Sequence, residues 1–484
     1  MEQTAHSSQN QSTWLKVLQW RYFPLVLVGM AMLSQAEHRW NYPQIYLDNQ
    51  CQMAVFTHWE NGEGWVAYDN DYGRIGSMHR FPPLYGMQLG LLQKLTGSWL
   101  SASRIIDILN IWSVLVALAL IFRDVNDFKE SWPFWLFMVF SFAPFHDGTG
   151  SDLMALNYLS LAVWCGLRHE ESQRTIYLIM AVVILGLSIW VRPAYLSVGS
   201  LFVVYYSWKW ILDGEKSVAR YWALSTLVYL LFAGGMLYWQ NLGPNLLPKE
   251  SGLYLKHLFL GTAFVWDAWV FIPSLLSAQM ETTLSILSWS FSILILYGLL
   301  LRYLPIRDQR KRLGILLLGL NVSFLYFLSL TQAPEDWNEA GMWTYVMEKR
   351  YFLPSILVIL VGSCSLLGQK RIYKLMYAAI LLWAVALFGY VHFYPNSQTS
   401  FEDSKLAAIE KAATWVNQNG NTSLPFYEEE HQYVLEASKL RQSREVPQEG
   451  FYLIQPIEMD LPKKSKFLVQ LNKGYYLAQM DFSN

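Results

Sequence analysis

Eleven stretches of this chain are apolar over nearly enough residues to cross a bilayer, and that repetition constrains the fold more than any motif. A crossing helix takes about 17 to 25 mostly apolar residues, because each advances roughly 1.5 Å through a hydrocarbon core of about 30 Å. The stretches run approximately 22–36, 104–122, 131–146, 152–167, 176–192, 195–212, 219–240, 283–304, 313–331, 351–367 and 375–392. Composition agrees: 15% of the 484 residues are charged, against about a quarter in an ordinary soluble domain. The 22 tryptophans and 29 tyrosines suit many helix ends passing the headgroup layer, where amphipathic rings settle. The expected architecture is an all-α polytopic membrane protein of about eleven crossings, carrying a small C-terminal soluble α+β domain.

Orientation follows from the cations, because short cytoplasmic loops are enriched in Lys and Arg. Five loops are basic: Arg123 with Lys129; Arg168 with Arg174; Lys216 with Arg220; Arg307, Arg310, Lys311 and Arg312; and Lys370, Arg371 and Lys374. The turns between them, such as His146 to Ser151 and Thr331 to Glu348, are neutral or acidic. Two further apolar stretches are assigned by parity. Pro82 to Leu95 contains Gln88, Gln93 and Lys94 and reads as a juxtamembrane or re-entrant helix; Leu258 to Met280 contains Asp267 and Pro273 and reads as interfacial.

The organisation expected is a cytoplasmic tail over 1–21, a membrane domain over 22–394 with outer loops 37–103 and 241–282, and an external domain over 395–484. The first apolar run lacks a small-x-small cleavage site and reads as a retained signal anchor. In the last domain, Phe401 to Gln418 and Val434 to Arg444 have helical character. Phe451 to Pro456, Phe467 to Leu471 and Tyr475 to Gln479 resemble strands. A net charge of -1 gives no sign of a nucleic-acid partner, and Cys51, Cys165 and Cys364 form neither a disulfide framework nor a metal-ligand spacing.

Polar residues are dense in the first outer loop: Asp48 in YLDNQCQM, Glu60 and Glu63 in HWENGEGW, Asp69 and Asp71 in YDNDYG, then His79 and Arg80 before Pro82-Pro83. Stranded charge beside a membrane is costly without a purpose. The order of pieces resembles the GT-C superfamily, in particular the branch holding protein O-mannosyltransferases and the lipid A aminoarabinose transferase. The matching segments are Asp48, Asn61 to Trp65, Arg80 with Pro82-Pro83-Leu84, Lys94 to Gly97, and Ala102-Ser103-Arg104. Trp190 to Pro193 and Glu348 to Pro354 match more weakly; His146 to Asp152 lacks the arginine that relatives often carry there.

That resemblance implies an inverting glycosyltransferase in a bacterial inner membrane. Its donor would be a polyprenyl-phosphate-linked sugar, its acceptor a lipid, glycan or protein, and its site would face the periplasm. Asp48 would be the general base that takes the acceptor's proton; a helix N-cap or surface aspartate is the plainer reading. Arg80 and Arg350 would meet the charge growing on the departing phosphate, since guanidinium forms a planar fork of donors; arginines at helix ends also snorkel to headgroups. Tyr351 would touch the phosphate or belong to the aromatic belt, and His79, Arg192 and Glu348 are further substrate-binding candidates. Asp69 and Asp71 have a spacing that holds divalent cations, but beside Gly73 they read first as a solvated turn, so no metal or cofactor is assigned. A transporter or flippase of lipid-linked saccharides is the alternative from another class.

Overall fold

A computed structural model describes residues 23–41, 47–69, 74–79, 81–122, 150–214, 216–242, five positions within 313–320, and most of 402–480. The expected crossings at 131–146, 283–304, 351–367 and 375–392, most of 313–331, and the stretch Leu258 to Met280 lie outside these residues.

The first part is helical. Helix α1 (Phe23–Asn41) leads into α2 (Leu47–Glu60), a hairpin of β1 (Val66–Asp69) and β2 (Arg74–Ser77), then α3 (Pro83–Thr96) and α4 (Trp99–Phe122). The hairpin is antiparallel, with Val66 opposite Ser77 and Asp69 opposite Arg74. Trp65 closes it onto the next helix by donating Nε1–H to the Phe81 carbonyl at 2.9 Å. Proline starts α3, where a missing N–H is harmless, and Gly97 ends it at φ 72, a left-handed conformation in which a Cβ is penalised.

Next among the described residues come α5 (Ser151–Ser172), α6 (Thr175–Val191), a 3-10 turn (Pro193–Tyr195), the single turn α7 (Leu196–Gly199), α8 (Leu201–Asp213) and α9 (Lys216–Asn241). The apolar run expected over 195–212 is thus broken near Ser200, whose hydroxyl turns back to the Ser197 carbonyl at 2.7 Å. Among the described residues, two helices are long and apolar enough to cross a membrane, Trp99–Ala117 and Lys216–Asn241, and Thr175–Val191 is a shorter apolar helix. Helix α9 leaves Leu227, Leu230, Leu231, Leu237 and Tyr238 exposed. An apolar stripe of that kind is unfavourable in water.

The C-terminal part is a five-stranded sheet in the order β4-β3-β5-β7-β6. It comprises β3 (Phe426–Tyr427), β4 (Gln442–Ser443), β5 (Phe451–Pro456), β6 (Ser465–Gln470) and β7 (Tyr475–Met480), with α10 (Lys405–Asn419) and α11 (Gln432–Ala437). β3 pairs in parallel with β4 and β5; β7 pairs antiparallel with β5 and β6. Leu406, Ile409, Ala413 and Val416 bury one face of α10, the three- and four-residue spacing of an amphipathic helix. Ser404 caps that helix by accepting the Ala407 N–H at 3.2 Å.

This unit is seated on the helical part at two places. Glu410 accepts the Ser98 hydroxyl at 2.9 Å and the Leu100 N–H at 3.2 Å, placing a negative charge at the N-terminus of α4, the end the helix dipole favours. Arg104, whose guanidinium also lies over Trp40 at 5.0 Å, reaches Glu402 at 3.3 Å. The second seat lies between α2 and α11: the Thr57 hydroxyl donates to the Ala437 carbonyl at 3.1 Å, and His58 Nε2 meets Glu436 at 2.6 Å.

Candidate functional site

Arg192 lies where α6 ends, in extended backbone (φ -142, ψ 120). Pro193 follows and disfavours helix for the residue before it, so the side chain leaves the helix axis and turns toward α5. There Nε and Nη2 donate to the two carboxylate oxygens of Asp152 at 2.7 and 2.8 Å. This is the two-point fork of guanidinium on carboxylate, strong and orienting. Asp152 is in the first turn of α5 and 7% exposed; Arg192 is 11% exposed.

The remaining terminal nitrogen, Nη1, lies 3.6 Å from Oδ2 of Asp48, whose side chain is 34% exposed. Asp48 stands in the first turn of α2, a position the helix dipole favours for an acid. A helix-end placement accounts for an acid at this point of α2. It does not account for the guanidinium opposite, which is already held by a second carboxylate.

Behind this cluster the packing is tight and polar. Asp107 of α4 accepts the Gly150 N–H at 2.7 Å, and Arg39, Asn49, Tyr85, Asp107 and Tyr195 are all buried. Gly150 has φ 57, and a Cβ there would come within 2.6 Å of Tyr85 Oη and closer still to the Asn49 amide. Only glycine satisfies both the backbone angle and the space. These contacts tie the entry of α5, and hence Asp152, to α2, α3 and α4.

The other candidates distribute as follows. His79 bonds the Ser77 hydroxyl through Nδ1 and packs against Trp239 at a tilt of 56°, ring centroids 4.7 Å apart. Burial holds its pKa below the usual imidazole value. Asp69 ends β1 with its backbone opposite Arg74. Arg80, Asp71, Glu348, Arg350 and Tyr351 lie outside the described residues. Asp48 and Arg192 come together although 144 positions separate them, and His79 is not among their contacts. The sequence offers no site reading for Asp107, and it marks Asp152 only as the end of the His146 to Asp152 segment set against the family pattern. Each is an acid inside or at the edge of an apolar run, and that placement is itself a signal.

The fold is similar to that of solved ArnT structures. One such structure is ArnT from Cupriavidus metallidurans bound to undecaprenyl phosphate, which aligns at TM-score 0.51 over 96% of this chain and 98% of that one, with 11% identity. The apo state of ArnT from the same organism aligns over 95% of this chain and 98% of its own, with TM-score 0.42 and 13% identity. At 11% identity, what this chain shares with the undecaprenyl-phosphate-bound ArnT is an architecture. No family model matches the chain, and no curated protein matches it.

Proposed function

We propose that the chain is an inverting glycosyltransferase moving a sugar from a polyprenyl-phosphate-linked donor to a lipid, glycan or protein acceptor, at the periplasmic face of a bacterial inner membrane. The observation that carries this reading is the partly exposed Asp48 carboxylate opposite an arginine clamped by Asp152, on a fold shared with a protein bound to undecaprenyl phosphate. The exposed apolar stripe of α9 supports the membrane setting.

The chemistry follows from the groups. An acceptor hydroxyl attacks the anomeric carbon; its proton passes to Asp48; the carbon–oxygen bond to the phosphate breaks and leaves a lipid phosphate. General-base help of this kind contributes about 10²- to 10⁴-fold. Growing charge on the phosphate needs preorganised cations that do not have to reorganise. Arg192 meets that need because Asp152 fixes two of its donors, and Arg80 and Arg350 are the further cations the sequence offers.

The test is transfer from undecaprenyl-phosphate-linked sugars by the purified chain in liposomes. Wild type should transfer, and Asp48→Asn should lose about two to four orders of magnitude. Wild-type turnover by Asp48→Asn would remove the base. Uptake of saccharide into sealed vesicles without any transfer would favour a transporter.

A further inference from the structure

Helix α2 is a rod of 14 residues, about 21 Å at the helical rise. Its first turn carries Asp48 and its last carries His58. The last turn is gripped by the C-terminal unit. The His58 ring lies between two carboxylates, with Nδ1 on Glu63 and Nε2 on Glu436 at 2.6 Å. Glu436 Oε1 also accepts the Tyr68 N–H of β1 at 2.8 Å. Thr57 donates to the Ala437 carbonyl, and Lys439 Nζ to Asn61 at 3.0 Å. Glu436 is buried and His58 nearly so, so the His58–Glu436 pair is shielded from solvent more than a surface pair is.

We propose that Glu436 is a positioning residue for Asp48, holding the far end of α2 through His58 and Tyr68 so that the carboxylate stays opposite Arg192. This rests on the reading of Asp48 as the base. A rod fixed at one end carries its other end with it, and a misplacement of about 1 Å at a reacting centre lowers rate about a hundredfold.

The grip is also pH-sensitive. The groups facing His58 are Glu63 from its own loop and Glu436 from α11, while Lys439, Arg441 and Tyr68 line the same cavity of about 420 Å3. The hydrogen bond from Glu436 raises the His58 pKa most; burial opposes it, and Glu63 raises it further. A raised histidine pKa gives stabilisation fully present below the unfolded value near 6.5 and lost as pH rises through the folded value.

The experiment compares Glu436→Ala and Glu436→Gln with wild type in three readouts: hydrogen exchange of the 47–60 amides, kcat against KM for the undecaprenyl-phosphate-linked sugar that wild type uses, and the pH profile. Glu436→Ala should speed exchange in α2 while α5 and α6 stay protected, and lower kcat about tenfold or more with donor KM unchanged. Glu436→Gln keeps both acceptor contacts but not the charge. It should restore most of kcat below pH 6 and move the alkaline fall to lower pH. If Glu436→Ala leaves α2 exchange and kcat as in wild type, or loosens α5 and α6 equally, the positioning role is wrong. Should the alanine variant not fold, an unchanged alkaline fall in Glu436→Gln overturns the proposal alone. Faster α2 exchange without loss of kcat, alongside an active Asp48→Asn, would instead count against Asp48 as the base.

Discussion

Helix α5 carries a buried carboxylate near each end, and the two ends are finished differently. Near the C-terminal end Glu170, 1% exposed, receives Lys209 Nζ at 2.6 Å and the Tyr206 hydroxyl at 3.1 Å. One acid there meets two donors and the charge is closed, which is how a protein tolerates an ion pair away from water. At the N-terminal end Asp152 takes N–H donors from two nitrogens of Arg192, yet the third nitrogen faces Asp48, which remains about one-third open to solvent. Two carboxylates converge on one guanidinium, and Asp48 is the more accessible of them. A buried charge is structural when its partners exhaust it; it is a candidate for chemistry when an exposed group stays within reach.

Substitutions at the two ends should separate these roles. The largest effect falls on Asp48→Asn, with kcat down about 10²- to 10⁴-fold and thermal stability unchanged, read by transfer and unfolding side by side. Next comes Lys209→Met at the closed end. It leaves Glu170 buried without its cation and should lower stability by about 3 to 5 kcal/mol, with kcat per folded molecule unaltered. Arg192→Lys keeps the charge but loses the fork, so kcat/KM for the donor should drop about 10- to 100-fold with a smaller change in stability. Ser404→Ala removes only the cap of α10, and a loss of about 1 kcal/mol with normal transfer sets the scale for a local defect. A fall in transfer from Lys209→Met as large as that from Arg192→Lys would erase the distinction between the ends.

Much of the scaffold is legible in the sequence because single residues announce it. Apolar runs mark α4, α6 and α9; Pro82-Pro83 and Gly97 bracket α3; and the strands at 451–456 and 475–480 fall where their apolar residues place them. Shorter pairings leave no period to read. β3 and β4 have two residues each, and the hairpin at 66–77 is four residues a side. Helix α2 is hidden for another reason: Asn49, Gln50, Gln52 and Thr57 are buried beside Met53 and Phe56, so polar and apolar residues share its buried side and leave no amphipathic period. The helix expected over Val434 to Arg444 stops at Ala437, and Lys439 turns left-handed at φ 62. Asp48 and Arg192 were each visible as types, but their meeting depends on a gap of 144 positions that no local pattern spans.

In the proposed mechanism Asp48 acts in the transfer step and Arg192 in phosphate binding, so the most direct measurement is donor binding and single-turnover transfer on the same Asp48→Asn and Arg192→Gln preparations. Asp48→Asn should bind undecaprenyl phosphate within about threefold of wild type while its transfer step falls at least a hundredfold, and Arg192→Gln should weaken that binding about tenfold or more. Wild-type transfer by Asp48→Asn, or wild-type lipid phosphate binding by Arg192→Gln, would contradict it.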